Sequence, residues 1–207
     1  MKKLVAFLCG VMCILVFSCL DLHPVLPFQY VGKAPTAAVP IKTIPIYLDK
    51  NFGIADQIAI DDAVSQWNYA LNGYVVLKVV STNFDMEPEI IQQCMGGACW
   101  MLLKVDSNAS FVPDEDSKHL TLAWANDIGG NRIYFVRDRI DNDWMTGIAL
   151  HEMGHLLGAK HDNVYLMQPQ FNWRDGRCVD QQAAYLVANY WGIPVQNVKY
   201  CVYGVTK

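Results

Sequence analysis

His151-Glu152-Met153-Gly154-His155-Leu156-Leu157-Gly158-Ala159-Lys160-His161-Asp162 is the stretch on which the reading of this chain turns. Two histidines four residues apart lie one turn apart on the same helical face, so both imidazoles reach a single ion. Glu152, beside the first of them, projects toward a water held in an open fourth position rather than onto the metal. Gly158 tolerates the left-handed backbone that ends a helix and turns the chain sharply. His161 then returns as a third nitrogen donor. Given the chain's own composition, the His-Glu-x-x-His core of the pattern arises by chance about once in 400 such sequences. Three of the chain's five histidines stand in this stretch, and metal binding is the reading preferred over a helix of incidental histidines.

Just upstream, Asp141-Asn142-Asp143 offers side-chain caps for a helix from Trp144 to about Leu157, ended by Gly158. Before it, Trp100–Val105, Leu120–Ala125 and Arg132–Val136 are strand candidates, with Asp106–Lys118 a charged, turn-rich loop. The chain opens on an apolar strand at Ile44–Leu48. A helix follows over Ala55–Leu71, with Ile58, Val64, Trp67 and Leu71 on one side, and then a β-branched strand over Val75–Val80. A strand-helix-strand opening predicts parallel neighbours. Downstream, a last helix is expected from about Val179 to Tyr190, where Gly192 and Pro194 terminate it.

The whole chain has 207 residues, 53% hydrophobic and 17% charged, which excludes a disordered tail, a collagen and a coiled coil. The net charge of −4, with no basic run beyond Lys2 and Lys3, argues against nucleic acid as a partner. Lys2 and Lys3 followed by uncharged Leu4–Phe17 read as an export signal, too short for the about 20 residues a spanning helix needs. Leu15-Val16-Phe17-Ser18-Cys19 resembles a bacterial lipobox. That resemblance implies a signal peptide over 1–18, cleavage before Cys19 and lipid on its sulfur. An ordinary secretory signal or an uncleaved anchor are the alternatives, and each places the body of the protein outside the cytoplasm. Residues 19–43, with Pro24, Pro27, Pro35 and Pro40, read as a spacer, and 44–207 as one domain. The expectation is an exported lipoprotein, membrane-anchored at the outer membrane or cell surface, with an extracytoplasmic domain.

Four cysteines remain in that domain, an even number in an oxidising compartment. Sequence proximity favours Cys94 with Cys99 and Cys178 with Cys201 among the three pairings. A cysteine zinc site is the rival, disfavoured because no Cys-x-x-Cys pair exists.

The HExxHxxGxxHD pattern over 151–162 resembles the metzincin clan of zinc metallopeptidases, and Tyr165-Leu166-Met167-Gln168-Pro169 resembles its Met-turn. Within the clan the matrixin branch is most similar, since there too a proline follows two residues after the methionine. Thr121–Ala125 and Ile128-Gly129-Gly130 are similar to the matrixin edge strand and the approach to the strand after it. The resemblance implies an α+β, zincin-like domain: a mixed, mostly parallel five-strand sheet, an active-site helix, a Met-turn and a C-terminal helix. It implies one catalytic zinc on His151, His155 and His161, with Met167 as an apolar floor. Trp124 and Ile133 stand where matrixins place histidines for a second, structural zinc, so none is expected. Asp162 replaces the usual hydroxyl residue.

The function expected is therefore a zinc-dependent endopeptidase, a hydrolase in which Glu152 acts as general base on a zinc-bound water and passes the proton to the leaving amine. A peptide or protein substrate would add antiparallel to the edge strand over Leu122, Ala123, Trp124 and Ala125. A wall after the Met-turn, from Gln168 through Pro169 and Gln170 to Asn172, would shape the pocket beyond the cut. Tyr165 is read as core packing rather than as an extra electrophile. Asp106, Asp114, Glu115, Asp116 and Asp127 could bind calcium, but without EF-hand spacing a solvated acidic loop is preferred. A monomer is expected. The alternative function is a cell-surface binding lipoprotein on a zincin scaffold with little or no peptidase activity.

Overall fold

The computed structural model describes residues 40–85, 88–113, 120–163, 165–170 and 178–198; the signal segment, Cys19, the spacer up to residue 39 and Cys201 lie outside them. Strand β1 (Lys42–Asp49) buries Ile44, Ile46 and Leu48 at alternate positions, the period of a pleated strand. Helix α1 (Ile54–Ala70) starts where the Asp56 carboxylate accepts the Gly53 N–H at 2.8 Å. The same Asp56 oxygen takes Lys104 Nζ at 2.6 Å, which compensates a nearly buried charge on each side. Helix α1 leads into β2 (Val75–Phe84), parallel to β1 in the register Ile44↔Leu77, so the strand-helix-strand opening stands.

The sheet continues through β3 (Trp100–Val105), which follows the short helix α2 (Pro88–Cys94), then β4 (Ala123–Ala125) and β5 (Arg132–Val136). The order is β2-β1-β3-β5-β4, all parallel except β4, which pairs antiparallel with β5 through Trp124↔Tyr134. This is the mixed, mostly parallel five-strand sheet expected. A turn of 3₁₀ helix at Asn142–Trp144 precedes helix α3 (Met145–Leu156), and a second at Tyr165–Met167 precedes α4 (Gln181–Trp191). Among the described residues no helix is long and apolar enough to cross a membrane.

Alternation along β3 sorts the molecule into two cores. Trp100 and Leu102 join the main cluster with α1, α3 and α4, whose largest members include Trp67, Ile133 and Phe135. Met101 and Leu103 face the other way, into a smaller cluster with Phe84, Cys94 and Cys99. Cys94 and Cys99 form the expected disulfide, closing a loop whose glycines 96 and 97 both have positive φ. Cys178 is also disulfide-bonded; its expected partner is outside the described residues.

Strand β1 begins at Lys42, inside the expected spacer, rather than at Ile44, and two other element bounds differ from expectation by more. The edge strand is three residues, not Leu120–Ala125, because before Ala123 the ladder is reduced to one hydrogen bond, from Val136 N–H to the Leu122 carbonyl at 2.8 Å. Strand β2 runs on past Val80 to Phe84, whose buried ring packs 5.8 Å from that of Tyr47.

Candidate metal centre

Helix α3 is fixed from below. Trp67 of α1 donates its indole N–H to the Leu150 carbonyl at 3.0 Å, which sets the rotation of α3 one residue before His151. His151 and His155 then point the same way, and after Leu156 the chain reverses at Gly158, φ +99°. Gly158 has no room for a side chain: a Cβ would meet three ring atoms of Tyr190 at 2.2 to 2.5 Å. That reversal brings His161 back. His155 Nε2 lies 3.1 Å from His151 Nε2 and 3.1 Å from His161 Nε2, and the three form the one group among the described residues able to hold a metal ion.

The outer ring nitrogens decide what the inner ones can do. His151 Nδ1 donates to the Leu166 carbonyl at 2.6 Å, and His155 Nδ1 to the Ala159 carbonyl at 2.8 Å. With those protons committed, both neutral rings present an Nε2 lone pair to the common point. Burial keeps the rings neutral: it pushes His151 down to about 4 against the Leu166 bond, with smaller help from the other two histidines. Burial likewise lowers His155. These two lone pairs, with His161 Nε2 a further 3.1 Å from His155 Nε2, fit a cation at that point. His161 is the exposed member and forms the open lip of the site.

Met167 closes the floor, buried at 1% exposure. Its sulfur fills the notch left by Gly154, where a Cβ would stand 2.6 Å from Met167 Sδ and 3.3 Å from the Trp67 ring. The turn holding it is tied at both ends: Asp162 N–H donates to the Met167 carbonyl at 2.9 Å, and Leu166 N–H to Asp180 Oδ2 at 2.9 Å. The other oxygen of Asp180 caps α4, accepting from the N–H groups of Gln182 and Ala183 at 2.8 and 2.9 Å. One carboxylate thus joins the C-terminal helix to Leu166, the residue whose carbonyl orients His151. Tyr165 is not core packing: this pinned turn holds it at φ 49°, with 47% of its surface exposed.

Glu152 is buried, and burial pushes its carboxyl up to about 8, held back only by a hydrogen bond from the Ala125 backbone N–H of β4. It shares an open cleft of about 900 Å³ with the three histidines. Leu122, Ala123, Trp124, Ala125, Pro169 and Gln170 line that cleft as expected, but Gln168 does not. Its N–H instead donates to the Tyr165 carbonyl, which turns it away as part of the tight turn. Residues 171 and 172 are outside the described residues. Trp144 and Ile148 also line the cleft and were not anticipated. Their helical spacing to His151 and His155 was the available signal. The orienting carbonyls of Ala159 and Leu166 have no signature, since any residue supplies a carbonyl.

Trp124 stacks on Tyr134 with ring centroids 4.8 Å apart, and Ile133 is fully buried, so both of these positions serve packing. Asp106 pairs with Arg137, and Asp127 accepts the Ile128 N–H; residues 114–116 lie outside the described residues.

No family model and no curated protein matches the sequence. Among solved structures, the crystal structure of metalloproteinase-II from Bacteroides fragilis is similar, with a TM-score of 0.51 at 18% identity over 79% of this chain. The chain spans 58% of the length of that structure. The likeness is one of fold alone, an α+β domain built on a mixed, mostly parallel five-strand sheet.

Proposed function

We propose that this chain is a zinc-dependent endopeptidase of the metzincin clan, similar to its matrixin branch, exported and anchored through a lipid on Cys19. The observation that carries the peptidase reading is the convergence of three imidazole nitrogens beside a buried carboxyl in an open cleft. Zinc ligated by nitrogen at 2.0–2.1 Å in a tetrahedron separates its donors by roughly 3.3 Å, close to the 3.1 Å between these nitrogens. Bound there, zinc supplies Lewis acidity toward a carbonyl and an acidified water.

The chain's own groups supply the rest. Glu152, which lines the same cleft as the three histidines, would accept a proton from the attacking water and release it to the departing amine. The Ala125 N–H fixes the carboxyl's position, so the base and the edge strand move as one. Among the described residues strand β4 pairs only with β5, and its other edge would take an extended peptide by antiparallel addition, with main-chain hydrogen bonds giving affinity. Trp144, Ile148 and Pro169 provide apolar surface for side chains beyond the cut.

The test is a mixed peptide library incubated with protein purified in zinc, with and without chelator, alongside Glu152→Ala. Hydrolysis should vanish with chelator and fall by about 10²- to 10⁴-fold in Glu152→Ala, while that variant keeps its zinc. Zinc-replete wild type that cuts nothing would leave a binding protein on this scaffold. For the anchor, Cys19→Ala should lose incorporation of a labelled fatty acid.

A further inference from the structure

The sheet face turned away from α3 carries a second cavity, of about 390 Å³. Met101 of β3, Ile91 of α2, Phe111 and the stacked Trp124–Tyr134 pair supply its apolar wall, and Arg132 is its one charged residue. Among the described residues Arg132 also has a buried Nε with no hydrogen-bond partner. A guanidinium N–H withdrawn from water without an acceptor is unfavourable, and a carboxylate is the group whose geometry relieves it. The volume is at the small end for ligand sites, enough for one or two side chains.

Trp124 borders this cavity and the metal cleft alike. Ala123 and Ala125, its neighbours on β4, pack toward the main core, so the Trp124 ring lies on the opposite face. A peptide laid along the edge of β4 opposite β5 sends alternate side chains to the two faces, and those on the Trp124 side arrive at the second cavity.

We propose that this cavity is a substrate subsite for an acidic side chain, Asp or Glu, two positions from an apolar one, with Arg132 as its carboxylate receptor. This rests on the reading of the neighbouring cleft as a peptidase site.

Zinc-loaded Glu152→Ala, which holds peptide without cutting it, would be titrated with labelled acetyl-Phe-Ala-Glu-Ala-amide and its Gln counterpart, read by fluorescence anisotropy. The Glu peptide should bind about tenfold more tightly. Adding Arg132→Gln should erase that preference, and Arg132→Lys should restore part of it. In the catalytically intact chain, Arg132→Gln should lower the Glu-over-Gln ratio of kcat/KM by a similar factor. Equal affinities for the two peptides on folded, zinc-replete protein would overturn the proposal. So would a Glu preference that survives Arg132→Gln and disappears in Lys160→Gln, which would place the acid in the first cleft. If wild type hydrolyses nothing while binding still depends on Arg132, the peptidase reading fails and the receptor stands; hydrolysis without Arg132-dependent discrimination does the reverse.

Discussion

Replacing Gly158 by alanine tests how the third histidine is delivered. Two costs add. A non-glycine residue at φ +99° carries backbone strain of about 1–3 kcal/mol. The new Cβ also stands 2.2 to 2.5 Å from Tyr190 ring atoms, and forcing an extra carbon into a packed site costs a further 1–3 kcal/mol or so. Tyr190 is 55% exposed and can swing aside, so the clash part is recoverable and the strain part is not. Glycine 158 also lies between the residues that hold the triad: its N–H donates to the His155 carbonyl at 2.9 Å, and the next carbonyl, of Ala159, orients the His155 ring. Loss of such an orienting contact typically weakens a metal site by about 10- to 100-fold. Urea denaturation of the metal-free protein should show a loss of about 2–6 kcal/mol, and competition with a zinc indicator should show weakened binding. In the double mutant with Tyr190→Ala, part of the stability should return and the zinc affinity should stay low. A Gly158→Ala protein within about 0.5 kcal/mol of wild type and unchanged in zinc affinity would refute the reasoning. Full rescue by Tyr190→Ala would assign everything to the clash.

Other perturbations probe other parts of the molecule. His161→Ala should weaken zinc binding yet leave the fold intact, because this ligand is exposed and packs against little; a large fall in metal-free stability would contradict that placement. Asp62 is raised above its ordinary value by burial, against a hydrogen bond from Gln66. An acid raised on folding costs stability once the pH exceeds its unfolded value and costs nothing in more acid solution. Asp62→Asn should therefore stabilise the protein at pH 7, with the gain shrinking as pH falls toward 4 in a denaturation series; a gain that grows in acid would reverse the sign assigned to it. Replacing Cys94 and Cys99 together by serine, which leaves the Cys178 disulfide in place, should cost about 2 kcal/mol by the loop-closure model without loosening zinc, since the bond lies in the smaller core on the opposite sheet face. An unchanged melting curve for the double serine variant would refute the stability claim, and weaker zinc binding in it would refute the independence.

What could be read from the residues was whatever repeats at short range. The His151–His155 spacing, the alternation of Ile44, Ile46 and Leu48, and the Gly158 stop are local signals, and each fell where expected. The edge strand was overextended because Leu120-Thr121-Leu122 has strand-like side chains, while its backbone finds too few partners to form a ladder. Tyr165 was misplaced because its exposure follows from a turn closed by Asp162, which residue type does not announce. Gly154 looked like an ordinary x in the motif until Met167 filled the space where its side chain would be. The second cavity had no local trace at all, since Ile91, Met101, Trp124 and Arg132 meet only through sheet order.

The divided carboxylate of Asp180 has a kinetic corollary. From the His151 ring to the Leu166 carbonyl, and from the Leu166 N–H to Asp180 at the first turn of α4, hydrogen bonds link the ligand to the helix through one residue, and such a chain opens at its weakest joint. Unlatching of α4 and loosening of the first ligand should thus be one event, with a single opening free energy shared by the Leu166 and Ala183 amides. At high chelator the off-rate of the ion should then stop rising with chelator concentration and level off at the rate at which that helix lets go.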